Sequence, residues 1–385
     1  MSDNTFEEMV VVENEECIIK ITDIDPDNRW GYEISVYLEN KSTDKTYMYS
    51  LETLVVNGVQ CNCYFASEVL PGKKVNETFN IDDSHLEDNG IVDFNNIELY
   101  FRVYDSDDWS AEDIVQVCAN IYPYGENKAK NYIRESKQTD YVIVDNEYVT
   151  AVVIGFEKDN IWGDTIKLYL ENKTDTTVMF SVDDASVNGV MSDPFWAEEV
   201  SPGKMAFSDI EWSDSTLEVN GLKEFTEFEF EFRAYDSNDW FDDDFAKERA
   251  YVYPYGKEKA GKFERKTGSS DKVLIDNEYV TVVMTGSEYD SIWGYTINLY
   301  LVNKTENLLC FASDDVSVNG YMLDPYWAKE VGSGKCAFSS MSWDESEFDE
   351  NGITTVEEIE MLFRAYDSDD WMVDDFVNEK IVIQP

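Results

Sequence analysis

The residues best suited to hold a cation or a partner lie in three near-identical acidic segments. The first reads Tyr104-Asp105-Ser106-Asp107-Asp108-Trp109, followed by Glu112 and Asp113. The second reads Tyr235-Asp236-Ser237-Asn238-Asp239-Trp240, followed by Asp242, Asp243 and Asp244. The third reads Tyr366-Asp367-Ser368-Asp369-Asp370-Trp371, followed by Asp374 and Asp375. Three chemistries suit this pattern. Asp and Asn side chains bond backbone N–H groups two residues on, which makes a turn between strands, with the tryptophan packed over the end of the fold. The same oxygens are hard donors of the kind calcium takes, although the spacing is not that of the twelve-residue EF-hand loop. A tryptophan anchor ringed by carboxylates also has the make-up of a protein-binding hot spot, with charge steering the partner. Asp105, Asp107, Asp108, Trp109, Asp236, Asn238, Asp239, Trp240, Asp367, Asp369, Asp370 and Trp371 are therefore the candidate partner-binding or calcium residues. No other metal or cofactor is expected.

Catalytic chemistry finds no comparable cluster. His85 is the single histidine, and polar Thr216 and Glu347 take its position elsewhere in the chain. A hydrolytic triad or a metal-activated water needs more than this. With 81 acidic residues, chance carboxylate pairs carry no information. No catalytic residue is assigned, and the chain is read as a non-enzyme. Cys310 and Cys336 align with Met179 and Met205, which points to packing, with a disulfide between them as the alternative. Cys61 and Cys63 without nearby histidines make a weak metal claim.

The elements that must position these loops come in threes. Trp-Gly recurs at Trp30, Trp162 and Trp293, and Val-Asn-Gly at Val56, Val187 and Val318. Arg102, Arg233 and Arg364 open the acidic loops at a constant spacing of 131 residues, the size of a domain rather than of a solenoid repeat. The expected division is a first repeat over 1–124, a basic linker over 125–140, a second repeat over 141–255, a basic linker over 256–272 and a third repeat over 273–385. The linkers read as solvated and trypsin-sensitive, or as basic contact sites between modules.

Within each repeat the apolar period is two. Ile97, Leu99, Phe101 and Val103 alternate with Glu98, Tyr100, Arg102 and Tyr104, as in an antiparallel sheet with one buried face. Asn-Gly predicts tight hairpins, and Leu-x-x-Asn-Gly a helical turn closed by glycine. About seven short strands per repeat describe an all-β fold: three tandem immunoglobulin-like antiparallel β-sandwich domains. Trp30, Trp162 and Trp293 fall on the apolar parity and are expected in the core. Arg102, Arg233 and Arg364 share the outward face with Tyr37, Tyr169 and Tyr300, which predicts cation–π or Arg–carboxylate pairs. Asn40, Asn172 and Asn303, in Asn-Lys-(Ser/Thr), are read as polar turns ending a strand.

A net charge of −51 makes nucleic acid and anionic membrane surfaces poor partners. Hydrophobic content of 43% nevertheless argues for a folded chain. No apolar run is long enough for a membrane helix, so no membrane insertion is expected. The sequence beginning at Met1 has no export signal, which leaves a cytoplasmic chain or one whose signal lay upstream.

Trp-Gly…Leu-x-Asn-Lys-(Ser/Thr), Val-Asn-Gly, Trp-Ala-x-Glu-Val-x-x-Gly-Lys (Trp196–Lys204 and Trp327–Lys335) and Arg-x-Tyr-Asp-Ser-Asp-Asp-Trp together resemble immunoglobulin-like repeat domains in surface proteins of gut-dwelling Gram-positive anaerobes. The first repeat departs from the third motif, with Phe65 in place of tryptophan. The resemblance implies an exported repeat protein tethered at the cell surface, of a kind in which some relatives bind host proteins such as immunoglobulins. Three copies of one unit on a single chain point to multivalent binding of a host or surface protein, and the chain is expected to be a monomer. A carbohydrate-binding array with Phe65, Trp196 and Trp327 as an aromatic platform is the alternative, and a structural surface stalk is a third reading.

Overall fold

The computed structural model describes residues 6–62, 64–81, 84–160, 163–212, 215–239, 241–290, 293–370 and 372–385. Alternation of period two is realised as strands: along Tyr32–Asn40 and Ile359–Asp367 every second side chain is buried. The first repeat forms β1 (Met9–Glu13), β2 (Cys17–Asp25), β3 (Tyr32–Asn40), β4 (Tyr47–Val56), β5 (Val59–Cys61), β6 (Ala66–Val69), β7 (Lys74–Ile81), helix α1 (Ser84–Asp88), β8 (Ile97–Asp105) and β9 (Val115–Ile121). The second forms β10 (Tyr141–Asp145), β11 (Val149–Asn160), β12 (Gly163–Asn172), β13 (Val178–Val187), β14 (Val190–Met191), β15 (Ala197–Val200), β16 (Met205–Trp212), α2 (Ser215–Val219), β17 (Phe228–Asp236) and β18 (Ala246–Val252). The third forms β19 (Lys272–Asp276), β20 (Val280–Asp290), β21 (Gly294–Asn303), β22 (Leu309–Val318), β23 (Tyr321–Met322), β24 (Ala328–Val331), β25 (Cys336–Trp343), α3 (Glu345–Asn351), β26 (Ile359–Asp367) and β27 (Val377–Ile383). The chain is all-β and its strands pack in sandwich-like layers. No described helix is long and apolar enough to cross a membrane.

Local signals act as their chemistry requires. Asn57-Gly58, Asn188-Gly189 and Asn319-Gly320 all have positive φ, the geometry of a two-residue hairpin turn that glycine and asparagine tolerate best. Asn40, Asn172 and Asn303 are buried, and their amides donate to the Val69, Val200 and Val331 carbonyls at 2.8 Å, tying the strand end to the next turn.

The sheets do not stop at the repeat boundaries. β1-β2-β3-β7 stands alone, but β10-β11-β12-β16 continues through β5 into β4-β8-β9, and β19-β20-β21-β25 continues through β14 into β13-β17-β18. The linking pairs, β5–β16 and β14–β25, are parallel. The last sheet is β23-β22-β26-β27. The cores cross the same joints. Met205, Phe207 and Tyr169 of the second repeat pack into the first cluster, and Cys336 of the third packs into the second. The physical reason lies in the hairpin: β5 and β14 pair with their own repeat on one side only, and an uncovered backbone edge is costly unless something pairs with it.

The linkers accordingly depart from the solvated reading. Most of their side chains are exposed, yet both are pinned across a joint. The Tyr132 N–H donates to the Asn57 carbonyl at 2.6 Å, and Phe263 does the same to Asn188 at 2.9 Å. Arg134 lies 5.3 Å over the Tyr169 ring and pairs with Asp140 at 2.7 Å. Arg265 lies 5.3 Å over Tyr300 and forks onto Asp271 at 2.6 and 2.7 Å.

One further expectation is corrected. Trp30 and Trp293 are not core residues: they are 73% and 67% exposed, while Trp162 lies outside the described residues. Trp30 belongs to the β2–β3 turn, where Asn28 accepts its N–H at 2.9 Å, so strand parity begins only at the buried Tyr32. Among the described residues the fully buried tryptophans are Trp212 and Trp343, at the ends of β16 and β25. Cys310 and Cys336 are unbonded buried thiols: Cys310 sits in β22, while the Cys336 thiol faces the Gly189 carbonyl across a joint at 3.5 Å. Burial pushes both thiols above the usual range.

Candidate functional site

The acidic loops sit at the ends of β8, β17 and β26, and their leading carboxylates are engaged in making the turn. Asp105 accepts the Asp107 N–H at 3.1 Å, Asp236 the Asn238 N–H at 2.9 Å, and Asp367 the Asp369 N–H at 3.0 Å. Asp105 and Asp367 are buried, Asp105 against Lys45 at 3.2 Å and Asp367 against the Asn307 amide. The second acidic position caps the next turn: Asp108 accepts from the Ser110 hydroxyl at 2.8 Å and Asp370 from the Met372 N–H at 3.1 Å. Asp239 accepts from the Phe241 N–H at 3.3 Å. Among the described residues no group of three or more His, Cys, Asp or Glu side chains is arranged to hold a metal ion. Trp109 is 77% exposed rather than packed over the fold, because the tight turn directs it outward. Trp240 and Trp371 lie outside the described residues.

The last acid of each loop serves the outward arginine. Arg102 donates to Asp113 at 2.9 Å, Arg233 forks onto Asp244 at 2.9 Å, and Arg364 holds Asp375 at 2.7 and 3.1 Å. Each guanidinium also covers the tyrosine two residues on, Tyr104, Tyr235 or Tyr366, at 4.5, 5.1 and 5.0 Å. The expected Arg–carboxylate pairs therefore form. Tyr37, Tyr169 and Tyr300 take other cations, from Lys20 and the two linkers.

A constellation that sequence reasoning missed stands one residue before the proposed aromatic platform. Phe65 and Trp327 are each 8% exposed, and Trp196 is stacked on Phe232. The Trp196 and Trp327 indoles donate to the Ser208 and Ser339 hydroxyls at 3.0 and 2.9 Å. These rings anchor the turn instead of meeting a ligand. Their neighbours Tyr64, Phe195 and Tyr326 are 96%, 92% and 92% exposed. Phe195 and Tyr326 are held at φ of 50° and 48°, a left-handed conformation that costs a bulky L-residue about 1–2 kcal/mol. Asp193 and Asp324 fix that conformation by accepting the Phe195 and Tyr326 N–H groups at 2.8 Å. The signal in the sequence was Asp-Pro-aromatic-Trp: after an Asx turn only one of two adjacent aromatics can point inward.

Cys61, His85 and Glu198 line a cavity of about 20 Å³, too small for a substrate. A groove of about 860 Å³ in the second repeat is lined by Tyr141, Phe156, Tyr253, Tyr255 and two lysines, with no carboxylate, histidine or thiol on its wall among the described residues.

No family model and no curated protein matches the chain. Among solved structures, a transglutaminase from red sea bream aligns with 58% of this chain and 28% of its own, at 10% identity and a TM-score of 0.17. A likeness of that size carries no argument about fold or activity.

Proposed function

We propose that this chain is a non-enzymatic, multivalent binding protein of three immunoglobulin-like modules, acting outside the cell or on its surface and presenting Tyr64, Phe195 and Tyr326 to a protein partner such as a host immunoglobulin. The observation that carries the reading is the strained display of Phe195 and Tyr326. The backbone is held in an unfavourable region, the ring gains no packing from it, and the first repeat offers an exposed tyrosine at the same position. Exposed aromatics are efficient anchors, and surrounding carboxylates such as Asp193 and Asp324 would steer a basic partner surface toward them. Because the joints fix one repeat on the next, three such anchors act at set separations and their contributions multiply only where the partner's spacing fits.

The test is binding of the whole chain to immobilised immunoglobulin G and to a panel of basic secreted proteins, with Tyr64→Ala, Phe195→Ala and Tyr326→Ala introduced singly, in pairs and together. Affinity should fall in steps, about tenfold or more per lost anchor. Unchanged affinity in the triple variant rejects the role of these rings. Retention on a glycan array that the triple variant loses would instead support the carbohydrate-binding alternative.

A further inference from the structure

The two joints are built from the same parts. The Gly58 and Gly189 carbonyls accept the N–H groups of Met205 and Cys336 at 3.0 Å, and β5 and β14 continue in parallel beside β16 and β25. Beside each backbone pair a lysine crosses to a glutamate: Lys204 to Glu98 at 2.7 Å, and Lys335 to Glu229. Both halves of this joint are also present at the outer ends. β23 ends the last sheet and β7 ends the first, with no further strand beside either among the described residues. The residues equivalent to the joint pair there are Lys73, immediately before β7, and Glu360, on β26.

We propose that a second copy of this chain occupies these edges, β7 of one copy pairing in parallel with β23 of the next, so that copies add head to tail. Asn319 and Gly320 hold the same left-handed turn as at the two internal joints, with φ of 51° and 85°, so the Gly320 carbonyl is presented as those of Gly58 and Gly189 are. Tyr321 and Met322 on β23 are exposed. The outer edges differ from the internal ones in a complementary way. On β7, Lys74 replaces Met205 and Cys336, and Asn76 replaces Phe207 and Phe338, so the head carries Lys73 and Lys74, both exposed and, among the described residues, in no ion pair. At the tail, Glu357 and Glu358, whose N–H groups bond the Asn319 side chain, stand where the inner repeats have Asn95-Asn96 and Thr226-Glu227. A pair of lysines thus faces three glutamates, one of them shared at present with Lys380 at 2.6 Å.

Apolar contact has been exchanged for charge. Lysine on an edge strand deters indiscriminate pairing and here selects an acidic partner edge. Where the internal joints pack Met205 and Phe207, or Cys336 and Phe338, the outer edge has Lys74 and Asn76, so the association is weak and reversible. A head-to-tail contact of this kind leaves one free head and one free tail on each assembly, so copies add until the rotation between them closes a ring, or without limit where it does not.

Sedimentation velocity of the full chain tests this over a concentration series at about 0.15 M and about 1 M salt. The lower salt screens the −51 body charge beyond about 8 Å, and the higher salt also weakens the contact pairs. Mean mass should rise with concentration at the lower salt and return to one copy at the higher. Lys73→Glu with Lys74→Glu, and separately Glu357→Lys, Glu358→Lys and Glu360→Lys, should each give single copies with unchanged circular dichroism, and mixing the two variants should restore assembly. A single-copy mass at every concentration up to about 1 mM, assembly that persists in either variant, or a mixture that stays dissociated would overturn the proposal.

Discussion

Phe195 and Tyr326 stand out because Asp193 and Asp324 hold their backbone in the left-handed region while both rings stay exposed. Replacing Phe195 with asparagine, which tolerates left-handed backbone, should raise unfolding stability by about 1 kcal/mol in urea titrations while weakening partner binding. A stability gain with loss of binding is the pattern expected of a residue kept for recognition; a stability loss would mean that the ring packs somewhere after all. The acidic loops behave in the opposite way, since their leading carboxylates already serve the local backbone, a lysine or an amide. Excess chelator should therefore leave the melting midpoint unchanged, whereas a bound structural calcium would make it fall. Both residue types were visible in the sequence, but their roles were not. Whether Trp196 or Phe195 faces outward depends on a single backbone dihedral after the Asx turn, and composition does not encode that.

At the scale of elements, the linkers changed most between sequence and structure. Their lysines and arginines read as solvent-facing charge, and most are. Arg134 and Arg265 are exceptions because each finds a tyrosine face and a carboxylate together. Their guanidinium groups hold Asp140 and Asp271 below the usual carboxylate range, through hydrogen bonds first. The sign follows: a carboxyl with a lowered folded pKa stabilises the fold fully above its ordinary value near 4 and loses that contribution as pH falls below it. Arg265→Ala should cost about 1–2 kcal/mol at neutral pH, and Asp271→Asn should flatten the acid limb of a stability–pH curve below about pH 4. An acid limb identical to wild type would show that the pair does not stabilise the joint. Strands, hairpins and the glycine-closed helical turns were legible beforehand, because period-two alternation and Asn-Gly chemistry are local.

For the whole molecule, shared cores and continuous sheets imply that the repeats do not melt independently. Calorimetry should record one dominant transition for the full chain, and Phe263→Ala, which removes the ring packed on Phe338 at 5.9 Å, should broaden or split it. Three separable transitions in the unmutated chain would contradict coupling through the joints. Rigid coupling also bears on binding, since it sets the distances between the displayed aromatics. The sequence by itself determined that there are three repeats of one β-rich unit with a strongly negative surface, because periodicity and charge are sums over local choices. Only the tertiary structure decided that these units share sheets, that two linker arginines act as clasps, and which of two adjacent aromatics meets the solvent. Those outcomes depend on which backbone edges and ring faces remain uncovered once each unit has folded, and residues far apart along the chain supply the covering groups.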